Sequence, residues 1–182
     1  MKRPVAIAAG VALLGLVASM TFASASQDGA TKRMSWDRLV AAAPSAVKAN
    51  AGDCDERLVV RERNLTETQI DNPPEGFSQG DEFASAADLF RRGKNVGYDD
   101  VHGVITSATE TEVRIEIVAT ATVRGDEITV AGSVRFTEEA AALDFELSVV
   151  GGTGRWDDVG GELTVVEEQA GPRLIFCLNH LD

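Results

Sequence analysis

Side chains suited to metal binding or nucleophilic chemistry are scarce: 182 residues hold two cysteines and two histidines. His102 and His180 stand far apart, and together with Cys54 and Cys177 they make too poor a ligand set for a metal site. Neither thiol has an evident base beside it, which argues against a cysteine nucleophile. Positive charge is short as well, with 17 Lys and Arg against 29 Asp and Glu and a net charge of −12. That surface repels nucleic acid and anionic lipid, so neither is expected as a partner. Apolar runs are brief everywhere but at the start.

That start has the layout of a secretory signal peptide over residues 1–25. Lys2 and Arg3 precede an apolar stretch from Val5 to Val17, and Ala23-Ser24-Ala25 supplies an A-x-A cleavage site. The stretch is short of a bilayer span, and no later segment is apolar enough to cross a membrane. The mature chain is therefore expected to be secreted, extracellular and free of the membrane, with 15 basic against 29 acidic residues. Export places Cys54 and Cys177 in an oxidising compartment, where they are expected to pair. The bridge would close a loop of more than a hundred residues, worth about 4–5 kcal/mol in the chain-entropy model. Residues 26–53 are polar and alanine-rich and read as a flexible leader, leaving one folded domain over 54–182.

From Cys54 onward the apolar pattern has period two. The first strand alternates Leu58, Val60 and Glu62 with Val59, Arg61 and Arg63, and a loop is expected from Leu65 to Ser78. Strand two spans about Asp81 to Phe90, and strand three Val96 to Ala108. Strand four has the clearest alternation: Val113, Ile115, Ile117, Ala119, Ala121 and Val123 share one face. Arg124-Gly125-Asp126 then turns into strand five, and Leu143 to Val149 forms strand six. Glu162 to Glu168 and Arg173 to Leu181 complete a set of eight with short connections and no helical pattern. An antiparallel all-β barrel of eight strands is expected, able to hold one small ligand or to be filled by its own side chains.

Between strands six and seven lies Val149-Val150-Gly151-Gly152-Thr153-Gly154-Arg155-Trp156, followed by Gly160-Gly161-Glu162-Leu163-Thr164-Val165. A phosphate-binding G-x-G is excluded on context. The third glycine of a dinucleotide fingerprint falls at Asp157, two acids stand where phosphate would sit, and Gly160-Gly161 breaks any following helix. A tight strand connection is the plain reading, with Trp156 packing the turn onto the barrel.

The same run resembles the glycine signature of the allene oxide cyclase and dirigent β-barrel superfamily. Gly80-Asp81 with Leu89-Phe90, Gly93 and Val96-Gly97 resembles the family's second-to-third-strand hairpin, and Leu174-Ile175-Phe176-Cys177-Leu178 its closing strand. The likeness covers Leu58 to Leu181 and identifies the chain as similar to a secreted bacterial member. It implies an apolar cavity, a homotrimer as in many members, no cofactor, and a small apolar or phenolic ligand whose cyclisation or coupling is steered by positioning. A disulfide from the chain start to the last strand, as many dirigent proteins carry, fits Cys54 and Cys177.

Site residues follow from the resemblance and, for one pair, from parity. The cyclases' Glu-x-Asn of the first strand corresponds to Glu62-Arg63-Asn64. Glu62 and Asn64 share a face with Leu58 and Val60; if that face is the interior, Glu62 is a desolvated carboxyl suited to acid–base work. The alternatives are a solvated strand-end Glu and an Asn that serves a turn. Glu146 matches an acidic position of the dirigent proteins, and Tyr98, the single tyrosine, is a hydrogen-bond donor to a ligand or else a half-buried strand residue. The family's Ser-Pro falls at Ile70-Asp71 and its second-strand Asn at Ala87, which speaks against allene oxide cyclase activity proper. Arg114 and Glu116 read as a solvated pair, and Asp81 as a residue that shapes the turn before strand two. Two functions remain: an isomerase or cyclase-type barrel using Glu62, and a non-catalytic ligand-binding or structural barrel.

Overall fold

A computed structural model describes residues 54–76, 78–109, 111–137 and 144–181. The signal peptide and leader expected over residues 1–53 lie outside the described residues. The strands are β1 (Glu56–Ile70), β2 (Glu82–Arg91), β3 (Lys94–Ala108), β4 (Glu112–Val123), β5 (Asp126–Thr137), β6 (Phe145–Gly152), β7 (Val159–Val166) and β8 (Arg173–His180). Every neighbour pair is antiparallel, and β8 pairs with β1 to close the barrel. Closure leaves no free sheet edge.

Alternation decides what fills the interior. On β4, Val113, Ile115, Ile117, Ala121 and Val123 are buried, and the twelve-pair register with β5 runs without a bulge. Trp156, 1% exposed, sits under the β6–β7 connection at one end. At the other end Phe136 and Phe145 meet edge to face with centroids 6.3 Å apart, and Phe83 lies across Gly103, where an added Cβ would come within 2.2 Å of its ring.

The glycine-rich stretch now has a physical role. Thr153 N–H bonds to Glu127 O at 2.9 Å, a short 3-10 turn spans Gly154–Trp156, and Leu181 N–H bonds to Asp158 O at 2.8 Å. Gly161 has φ +132, and a Cβ there would stand 2.0 Å from the Cys177 carbonyl oxygen of β8. Backbone cannot move aside as a side-chain tip can. Gly161→Ala is expected to cost about 3 kcal/mol or more, whereas Gly151→Ala, also strained at φ +157 but with nothing within 4 Å, should cost about 1–2 kcal/mol. Urea denaturation midpoints separate the two; equal losses would show that the close approach to Cys177 is unimportant.

Two expectations are corrected. The first strand does not end at Asn64: the register slips between Arg63 and Thr66, and pairing with β2 resumes to Ile70. Arg114 pairs with Glu112 at 2.6 Å rather than with Glu116, and Glu112 also takes Arg135. Asp81 accepts the N–H groups of Asn72 (3.0 Å) and Ser78 (2.7 Å), so it does shape the turn into β2. Cys54 and Cys177 are disulfide-bonded, with Cα atoms 5.3 Å apart.

Candidate functional site

Two acids sit inside the barrel. Glu62 on β1 is 1% exposed and Asp99 on β3 is 3% exposed. β2 lies between their strands, with Leu89 opposite Glu62 and Ala87 opposite Asp99. The two side chains hydrogen-bond to each other, which requires that one of them carry a proton, since two carboxylates have only acceptors. Ala87 N–H donates to Asp99 Oδ1 at 3.1 Å. Glu62 is held from behind as well: its N–H bonds to Pro172 O at 3.1 Å, tying β1 to the β7–β8 turn.

Burial pushes the Asp99 carboxyl up to about 6. The bonds from Glu62 and Ala87 oppose that rise, and the charge of Asp100 adds to it. A carboxyl that titrates at about 6 can both give and take a proton within a unit or two of neutral pH, which is the condition for acid–base work during a reaction. Around it the wall is apolar, with Val101, Ile117, Val130, Leu163 and Phe176 among its members. The walls beside Asp99 are small: Ala87, Ala119 and Ala121. About 20 Å³ remains open to the centre of a water molecule, room for a water or two. An aromatic molecule enters only if side chains such as Leu147, packed into the gap at Gly132, move.

No protein-family model matches the sequence, and no curated protein matches it. Solved structures do match. A pyocyanin demethylase is 24% identical and superposes with a TM-score of 0.60 over 68% of this chain and 100% of that one. A Diels-Alderase from Streptomyces koyangensis is 17% identical, with a TM-score of 0.54 over 69% of this chain and 64% of its own. The fold is that of these eight-stranded antiparallel barrels. A pterocarpan synthase dirigent protein also aligns, at 16% identity and a TM-score of 0.47 over 70% of this chain and 86% of that one. This chain spans just under two thirds of the length of the Diels-Alderase.

Within the barrel, one of the four site residues expected from sequence, Glu62, faces the lumen. Asn64 takes φ +57 at the register slip and turns outward, where its side-chain amide donates to Asp88 Oδ2 at 2.6 Å. The slip breaks the parity that would have kept it beside Glu62. Tyr98 is 51% exposed and Glu146 is exposed, both on the outer surface. The residue that sequence reasoning missed is Asp99. Its signal was available: Asp99, Val101 and Ile105 alternate on the buried face of β3. The adjacent Asp100 on the wet face made the two acids look alike.

Proposed function

We propose that this chain is an exported barrel that takes a small apolar or phenolic molecule against the Glu62–Asp99 pair and steers its cyclisation or coupling. The observation that carries the reading is a buried, hydrogen-bonded carboxyl pair facing an apolar lumen. One carboxyl protonates or deprotonates the ligand while the apolar wall holds it in one folded shape, so the gain comes from position and from a matched acid. The neighbours named as a Diels-Alderase and a pyocyanin demethylase support a small organic ligand. The disulfide, together with the signal-like start, supports export. On this reading Asn64, Tyr98 and Glu146, exposed on the outer surface, take no part in the lumen, and Asp99 takes the place beside Glu62.

The test is a panel of small phenols and polyenes, followed by turnover with any binder. Glu62→Gln should lower the rate by about 10²–10⁴ and scatter the products while leaving binding in place. An unchanged rate and product distribution would exclude the role. One observation favours a non-catalytic barrel instead, namely the small free space. If the native chain binds no member of the panel while Phe83→Ala does, the lumen is a sealed core and the second reading holds.

A further inference from the structure

We propose that the barrel rim carries a binding site for polyphosphate-type anions, built from the β2–β3 and β4–β5 turns. Arg91, Arg92 and Lys94 from the first turn and Arg124 from the second surround a surface pocket floored by Val96. About 330 Å³ of it is open to water centres, far more than the room left in the lumen and more than one phosphate fills. Arg124 N–H bonds to Val96 O at 2.9 Å, which locks the two turns side by side.

Three observations converge on an anion with several charges. First, the chain is strongly acidic, yet this lining holds four cations and one valine. Secondly, five arginines elsewhere, Arg61, Arg114, Arg135, Arg155 and Arg173, pair with carboxylates, and Arg63 lies over the Phe90 ring at 5.0 Å. Among the described residues no carboxylate pairs with Arg91, Arg92, Lys94 or Arg124, although packing four like charges together is unfavourable without a counter-charge. Thirdly, Arg92 and Arg124 hold φ +52 and +58, each followed by a positive-φ glycine. These are two-residue hairpin turns whose first position favours Asn, Asp or Gly. Arginine there costs roughly 1 kcal/mol at each turn, and the same exception occurs twice at neighbouring sites. A ligand that uses both guanidinium groups gives the exception a reason, because the fork of Arg fits phosphate oxygens in pairs.

The spacing of charge over two turns suits a ligand with two or more adjacent phosphate groups, free or as part of a phosphodiester polymer. The experiment is calorimetric titration of the full chain with tripolyphosphate and with inorganic phosphate. Tripolyphosphate should bind, at least tenfold more tightly than inorganic phosphate, and weaken as salt rises. The variant Arg92→Asn/Arg124→Asn removes two charges and suits the left-handed turns, so it should melt no lower than the wild type yet lose at least tenfold in affinity. Arg114→Asn, paired with Glu112 elsewhere on the barrel, should leave binding unchanged. A phosphodiester polymer that binds where tripolyphosphate also binds extends the ligand to its polymeric source; tight binding of heparin alone would place the recognition in another class and overturn the proposal. Equal binding by wild type and the double variant, or no binding of tripolyphosphate at millimolar concentration, would overturn it as well.

Discussion

Raising the pH from 4 to 7.5 should favour the variant Asp99→Asn over the wild type by roughly 3 kcal/mol. Asp99 is pushed from an ordinary 3.8 to about 6 in the folded barrel. Below 3.8 it is protonated in both states and costs nothing. Between 3.8 and about 6 the unfolded chain has released its proton while the folded chain still holds it, so stability falls as pH rises. Above about 6 both are ionised and the full penalty applies. A second acid moves the same way: burial and the nearby Asp144 push Glu167 up to about 7. That group is present in both proteins and cancels in the comparison. The variant keeps the shape of the side chain, so urea denaturation at four or five pH values reads the ionisation of Asp99. Parallel profiles would mean that Asp99 is not raised in the barrel, and the acid–base reading would lose its basis.

The expected penalty is itself an argument about function. A lumen of Val, Ile, Leu and Phe needs no carboxyl for stability, and the raised Asp99 destabilises the fold at neutral pH. Retaining two buried acids against that cost is what a proton-transfer site requires. The rim cations make the same kind of case at the surface, since they also sit where packing and turn chemistry disfavour them. The two sites stand on separate residues and fail separately: loss of tripolyphosphate binding leaves the pH profile of Glu62–Asp99 untouched.

How much of this was legible in the sequence depended on whether parity stayed intact. β4 and β5 alternate without interruption, and their inward residues could be read directly from Val113 to Val123. Glu62 reads as inward only if Leu58 and Val60 face the interior, and the structure places all three there because Glu62 continues their series before the register slip. Asn64 lies on the slip itself, and one left-handed residue reverses every later side chain of the strand; no residue pattern marks that slip, because Leu65 to Ile70 is polar and reads equally well as a loop. Asp99 was hidden for a different reason. The β3 interior is built of Gly97, Asp99, Val101 and Gly103, too small and too polar to stand out as an apolar face. The space those small residues leave is filled from other strands, by Phe83 over Gly103 for instance, and only the closed barrel reveals it. The rim cluster was visible as two Arg-Gly turns, but their adjacency comes from β3 pairing with both β2 and β4.

Removing the disulfide should have the largest effect on stability. Cys54 and Cys177 are 123 residues apart in sequence, and a loop of that length restricts the unfolded chain by about 5 kcal/mol in the entropy model. A domain of this size is stable by about 5–15 kcal/mol in total. The bridge also sits where the barrel closes, next to the six paired positions that join β1 to β8, from Glu56 with Leu178 to Arg61 with Arg173. Those pairs unite the two ends of the domain and carry the greatest closure entropy of any in the barrel. Cys54→Ala/Cys177→Ala is therefore expected to lower the unfolding free energy by about 4–5 kcal/mol, with faster amide exchange concentrated in β1 and β8 while the β3–β4–β5 ladder stays protected. The same seam holds Glu62 in the lumen through its bond to Pro172. Loosening it should admit water to the Glu62–Asp99 pair and bring Asp99 back toward an ordinary carboxylate value, so that the variant's stability falls less steeply from pH 4 to 7.5 than that of the wild type. A loss below about 1 kcal/mol, or exchange that rises evenly over all eight strands, would show that the barrel closes by pairing alone and that the bridge adds little to the site it adjoins.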